Sequence, residues 1–267
     1  MLKSEPEPAA GRCVPEAAAV GGAPRLLFSR KVADYEASRP DYPEALFALL
    51  RARLPAGAAV ADLGAGTGLL TRDLLRLQFQ VVAIEPDAGM RAAADQRLGG
   101  APGYRSCAGT AEGIPLADRS ADLVTAAQAF HWFDPPRARA ECLRVLRPAG
   151  FVALIWNDRV ADDPLQRALE AVLESFGKAK QSLASEKAAV AEFFAPARPE
   201  EYAWSHEHRL DLAGLTSLVF SRSYMPDRDT AAGRDVGRLV REVFDRCQRD
   251  GGVTVRYRTV AYVGRPG

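Results

Sequence analysis

From residue 58 onward, short apolar runs alternate with segments in which apolar residues return every three or four positions. The runs fit strands buried on both faces, and the segments between them fit amphipathic helices. Ala58 to Leu63 is the first run. A turn follows over Gly64 to Gly68, then helical spacing from Leu69 to Leu77. A second strand is predicted over Val81 to Ile84 and a second helix over Ala88 to Leu98. Tyr104 to Ala108, Asp122 to Ala126 and Phe151 to Trp156 supply further strands, with a helix from about Pro135 to Leu146. This alternation predicts an α/β fold, with a mostly parallel sheet covered by helices on both faces.

The flanks read differently. Residues 1–25 are rich in Ala, Pro, Glu and Gly without a hydrophobic period, which predicts a disordered tail. Order is expected to begin near Leu26-Leu27-Phe28. Asp41 is expected to cap a helix with Pro43 in its first turn and Leu46, Phe47, Leu49 and Leu50 on its apolar face. Residues 26–267 then form one domain. Its parts are an N-terminal lid and helix (26–55), a ligand-binding core (58–157), a helical insertion (160–195) and a C-terminal completion of the sheet (200–263). The last contains two late strands, Glu201 to Leu210 and Val253 to Val263.

Composition narrows the function. The formal net charge of +1 gives no general pull toward nucleic acid or an anionic membrane. No apolar run reaches the roughly 20 residues of a membrane helix, and no secretory signal is read at the N-terminus. Cys13, Cys107, Cys142 and Cys247 are scattered without a CxxC, so no disulfide framework is expected and a reducing cytoplasm is the default. The oligomeric state is not legible.

The central motif is Asp62-Leu63-Gly64-Ala65-Gly66-Thr67-Gly68, a buried strand ending in a tight turn that opens a helix. Glycine permits positive φ and close ligand approach, and the helix start offers unpaired N–H groups. A dinucleotide fingerprint would need glycines as GxGxxG. Here they fall at 64, 66 and 68, with Leu69 in the last position, which disfavours a nucleotide-dependent oxidoreductase. Glu85, just past the second strand, is placed to accept hydrogen bonds from both hydroxyls of a ribose.

These residues are similar to the first motif of class I S-adenosylmethionine-dependent methyltransferases. The resemblance extends to Tyr35-Glu36-Ala37-Ser38-Arg39-Pro40-Asp41-Tyr42-Pro43, to Ala127-Gln128-Ala129-Phe130-His131-Trp132-Phe133, to Leu154-Ile155-Trp156-Asn157 and to Ser221-Arg222-Ser223-Tyr224. It covers about residues 28 to 263 and points to the methyltransferase domain 11 group, in a small-molecule branch related to trans-aconitate methyltransferases. It implies a Rossmann-like, seven-stranded fold and S-adenosylmethionine as cofactor. It further implies that Asp62, Gly64, Ala65 and Gly66 surround the methionine part and that Glu85 holds the ribose. Pro86, Asp87 and Met90 would line one side of the adenine pocket, and Ala111 and Glu112 would meet the adenine edge. Gln128 and Ala129 would sit near the sulfonium, with Tyr35 and Arg39 closing over the cofactor. Phe130, His131, Trp132 and Phe133 would face a small organic acceptor. The acceptor, and whether its O, N or C atom is methylated, stay open. So does the alternative of a protein that keeps the fold without the transfer, such as a cyclase or an accessory subunit.

Methyl transfer from a sulfonium needs alignment, exclusion of water and, for some acceptors, a base. His131 is the candidate base, because its titration range suits proton abstraction near neutral pH. The competing reading has it hydrogen-bonded to a loop while its aromatic neighbours form a pocket wall. Asp134-Pro135-Pro136-Arg137 superficially resembles a catalytic motif of amino-group methyltransferases, but a helix cap with proline in the first turn explains it better. His206 and His208 share one face of a probable strand and are expected to be exposed. No metal site is expected. The arginines from Arg222 to Arg258 alternate with acidic residues and predict a solvated surface.

Overall fold

The computed structural model describes residues 34, 38–176, 183–222 and 224–267 of the chain, and the side chains of 183–186 are left aside. The expected tail of residues 1–25, the position of Tyr35 and most of the expected lid lie outside the described residues.

Seven strands form one sheet: β1 (Ala59–Leu63), β2 (Gln80–Ile84), β3 (Tyr104–Cys107), β4 (Ala121–Ala127), β5 (Leu146–Arg159), β6 (Glu200–Leu210) and β7 (Val253–Gly264). Their order across the sheet is β3-β2-β1-β4-β5-β7-β6. The first five run parallel, and β7 lies antiparallel between β5 and β6. Order reverses at β1, so the crevice outside the carboxyl ends of β1 and β4 is the place where such sheets take ligands.

Eight α-helices accompany the sheet among the described residues: α1 (Glu44–Arg53), α2 (Leu69–Arg76), α3 (Ala88–Leu98), α4 (Pro135–Val145), α5 (Pro164–Phe176), α6 (Leu183–Phe194), α7 (Leu212–Phe220) and α8 (Ala231–Cys247). The mostly apolar strands of the parallel half bury both faces. One core holds Val60, Val81, Leu123 and Ile155 against Leu46, Leu50, Leu70 and Leu74 of α1 and α2. The opposite core packs Leu63, Ile84 and Leu154 with Cys142 of α4 and Phe193 and Phe194 of α6. A third core joins α5, α7 and α8 to Val253, Val255 and Tyr257 of β7. No described helix is long and apolar enough to cross a membrane.

Several expectations need correction. Asp41 does not cap the first helix. Pro43 is its N-cap, without a side-chain bond, and Asp41 pairs with Arg72 at 2.7 Å. A proline already fixes φ at the helix entry, so the carboxylate is available elsewhere. His206 and His208 are half-buried, not exposed, because β6 is an edge strand covered on one side. His206 stacks on Tyr257 at 5.2 Å, and no metal-binding cluster exists among the described residues. Among the described residues, Cys142 and Cys247 are free.

Candidate functional site

The site begins where β1 meets α2. Gly64, Gly66 and Gly68 have φ of +63°, +58° and +81°, the left-handed region that side chains resist. Gly64 N donates to Ile84 O at 2.8 Å, which ties the turn to β2. A Cβ on Gly64 would stand 2.6 Å from Ala129 Cβ, so the turn and the segment after β4 approach as only glycine allows. At Gly66 an added Cβ would meet nothing within 4 Å, and residues 64–66 are partly open to solvent. The turn is therefore closed on its β4 side and accessible on the other.

Beneath it, Asp62 is fully buried. Thr71 Oγ1 of α2 donates to Asp62 Oδ2 at 2.6 Å, and Thr125 Oγ1 of β4 donates to Oδ1 at 2.7 Å. The carboxylate thus pins helix and strand under the glycine turn. Burial outweighs both hydrogen bonds and raises its pKa from 3.8 to about 6. An acid that holds its proton more tightly folded than unfolded favours the fold most below pH 3.8, and loses that contribution as pH rises through 6. Asp62→Asn should remove this fall, which is at most about 3 kcal/mol. Denaturant unfolding at pH 4 and pH 7 checks it. Equal pH dependence in variant and wild type would show that Asp62 keeps an ordinary pKa.

Glu85 lies just past β2 and is nearly buried. Gly66 N donates to its Oε2 at 2.9 Å and Asp87 N donates to its Oε1 at 2.9 Å. Both carboxylate oxygens are thereby fixed beside the glycine turn, and each keeps a lone pair for a further donor. Burial raises its pKa despite these bonds. Asp87 caps α3 by accepting from Met90 N at 2.9 Å. Met90 is buried, Pro86 half-buried. Ala111 is buried in the loop after β3, and Glu112 accepts from Asp134 N at 2.8 Å, which fastens that loop to the start of α4. Asp134 itself caps α4 by accepting from Arg137 N at 3.2 Å, the structural role expected of it.

The segment after β4 forms the far wall. Gln128 has a φ of +57°, rare for a side-chain-bearing residue, and donates from Nε2 to Asn157 O at 3.3 Å. A 3-10 turn, Phe130–Trp132, follows. Its three residues and Phe133 after them divide by environment. Phe130 is a core residue, packed edge-on against Trp156 and Phe193 at 6.0 and 5.2 Å. The turn directs this ring inward, so that it backs the wall from the core. Phe133 is half-buried, 3.9 Å from the position of a Cβ on Gly64. Trp132 is 53% exposed, and His131 is exposed with its ring 5.1 Å from that of Trp132. His131 makes no hydrogen bond to a described residue, so the reading in which a loop holds it has no partner to name. Surrounding protein and the charge of Arg39 lower its pKa, which favours the neutral imidazole at pH 7.

Comparison with known proteins decides the family. The chain is 39% identical over 204 residues to an uncharacterised methyltransferase of Mycobacterium tuberculosis, covering 74% of this chain and 77% of the relative. The chain belongs to the methyltransferase family. Residues 61–154 match the model of a methyltransferase domain, Methyltransf_11. The fold agrees with that of a proposed type II methyltransferase from Anaeromyxobacter dehalogenans, with TM-score 0.63 and 23% identity over 85% of this chain and 97% of the other. It also agrees with phosphoethanolamine N-methyltransferase 2 of Haemonchus contortus, bound to phosphomonomethylethanolamine and S-adenosylhomocysteine. There the TM-score is 0.53 and identity 15%, over 91% of this methyltransferase and 60% of that one. The cofactor of the class is S-adenosylmethionine, which supplies an activated methyl group on a sulfonium. The open glycine turn and the fixed Glu85 carboxylate fit such a ligand.

Sequence reasoning passed over Thr71 and Thr125, because a threonine announces nothing until its partner is known. It also passed over Arg159, which lies beyond the apolar part of β5, and Tyr257, whose place in the buried alternation of β7 hides its hydroxyl.

Proposed function

We propose that this methyltransferase moves the methyl group of S-adenosylmethionine to a small organic acceptor at the carboxyl ends of β1, β4 and β5. One observation carries the reading: both oxygens of Glu85 are fixed by backbone N–H groups beside an open left-handed glycine turn. Glu85 takes the ribose hydroxyls, and Gly64, Ala65 and Gly66 receive the methionine part, with Asp62 supporting the turn from below. Pro86, Asp87 and Met90 line one side of the adenine, and Ala111 and Glu112 its edge. Gln128 and Ala129 lie by the sulfonium, and Tyr35 and Arg39 close over the ligand. His131 takes a proton from the acceptor, with Trp132 and Phe133 as its apolar surroundings. The near-neutral charge supports a small acceptor over a nucleic acid.

Glu85→Ala should weaken S-adenosylhomocysteine binding by about 1–3 kcal/mol, the usual loss for hydrogen bonds to a charged group. Calorimetry measures this directly. An unchanged dissociation constant would move the ribose away from Glu85.

A further inference from the structure

Arg159, Arg222 and Tyr257 form a cluster that the cofactor reading does not use. Arg159 ends β5, and its register partner across the antiparallel ladder is Tyr257 of β7. Cross-strand partners project to the same face of a sheet. Arg222 follows the C-terminal end of α7, where its Nη1 donates to Leu218 O at 2.8 Å. The three groups act on one another electrostatically, and the charge of Arg39 acts on all of them. Tyr257 is only 3% exposed, yet its hydroxyl has no hydrogen-bond partner, and Arg159 Nη1 is buried and equally unpartnered. Buried donors are rarely left so, since each costs the desolvation of its group. Glu170 is the carboxylate that bears on Arg159, and its Oε1 already accepts from Gln166 Nε2 at 3.1 Å. Desolvation and the neighbouring guanidiniums lower the pKa of Arg222 to about 9.

The position is informative. Gln128 donates to Asn157 O, and Arg159 lies two residues further along the same strand, roughly 7 Å on. Arg39 bears both on this cluster and on His131. The cluster therefore stands beyond the wall of the proposed reaction centre, on the side where an acceptor would extend. Guanidinium forks match the oxygens of carboxylates and phosphates, and the tyrosine hydroxyl adds a third donor.

We propose that Arg159, Arg222 and Tyr257 bind an oxyanion group of the acceptor, which makes the substrate a small organic acid or phosphate. The site anchors the acceptor at a point away from the methylated atom and so selects for charge and reach. The assignment to the acceptor rests on the methyl-transfer reading. The oxyanion site itself does not.

Succinate and phenyl phosphate, titrated at constant ionic strength, test it with and without saturating S-adenosylhomocysteine. Saturable binding of either to the wild type is expected, and the better of the two names the group. Arg159→Gln should weaken it at least tenfold while S-adenosylhomocysteine affinity stays within twofold. Tyr257→Phe removes one unpaired hydroxyl and nothing else. It should weaken the same anion several-fold while leaving the melting temperature of the ligand-free protein equal or higher, an outcome that a merely structural tyrosine would not give. No saturable binding of either anion, or equal binding by both variants, would overturn the site. Failure of S-adenosylhomocysteine to bind the wild type would instead overturn the cofactor reading and leave the anion titration to be judged alone.

Discussion

His131→Ala should lower the turnover number by about 10²–10⁴-fold with S-adenosylmethionine affinity unchanged, the range expected when a general base is lost. The structure supports this through three features. The ring stands on a short 3-10 turn at the carboxyl end of β4, is exposed, and makes no hydrogen bond to a described residue. Its lowered pKa keeps the imidazole neutral and able to accept a proton at pH 7. The acidic limb of the wild-type rate profile should then fall below pH 6.5, the ordinary value for histidine. The limb should vanish in the variant. Steady-state kinetics across pH, with calorimetry of the cofactor, separates the cases. A change confined to the Michaelis constant would make His131 a contact to the acceptor. Wild-type turnover would remove it from the reaction, as for an acceptor already ionised.

Gly64→Ala is the second large effect. Two costs combine. The residue has a φ of +63°, and its new Cβ would lie 2.6 Å from Ala129 Cβ. A side chain held in the left-handed region costs about 1–2 kcal/mol, and overpacking adds roughly 1–3 kcal/mol. Relief by backbone motion is restricted, since Gly64 N is bonded to Ile84 O at 2.8 Å. We expect a loss of about 2–4 kcal/mol in stability, together with loss of measurable S-adenosylhomocysteine binding. The pair Gly64→Ala with Ala129→Gly separates the causes. It removes the collision but not the backbone strain, so roughly half the stability should return. Complete recovery would show that the conformation at 64 is not strained, and no recovery would show that Ala129 is not the obstacle.

What was legible in the sequence follows from locality. The glycine turn, the position of Glu85 just past β2 and the strands of the parallel half are each specified by neighbours in the chain, and they stand in the structure where the pattern puts them. The extent of β5 was not legible. Pro148 and Gly150 look like strand breakers, yet the strand begins at Leu146 and passes them with a shift of register against β4. Asn157, Asp158 and Arg159 look like a polar loop, but they continue the ladder because Thr259, Arg258 and Tyr257 lie opposite. Such pairing is tertiary information. The same holds for Asp62, whose carboxylate is directed by Thr71 and by Thr125, a residue 63 positions away. Phe130 and His131 are adjacent in sequence and opposite in fate, one in the core and one in solvent, because a tight turn changes direction faster than any hydrophobic period can record.

The placement of β7 bears on how the molecule is made. This strand is the last in the sequence but an interior member of the sheet, and it alone joins β6 to β5. During synthesis, β5 and β6 must each wait with an unpaired edge until residues 253–264 emerge. Arg159 and Asn157 likewise wait for the residues that face them. Exposed edges invite pairing with other chains, and long-range closure is slow. The nascent protein therefore passes through a stage in which the cofactor turn can already form while the outer sheet is open. At that stage a chaperone, or a second nascent chain, has its clearest access.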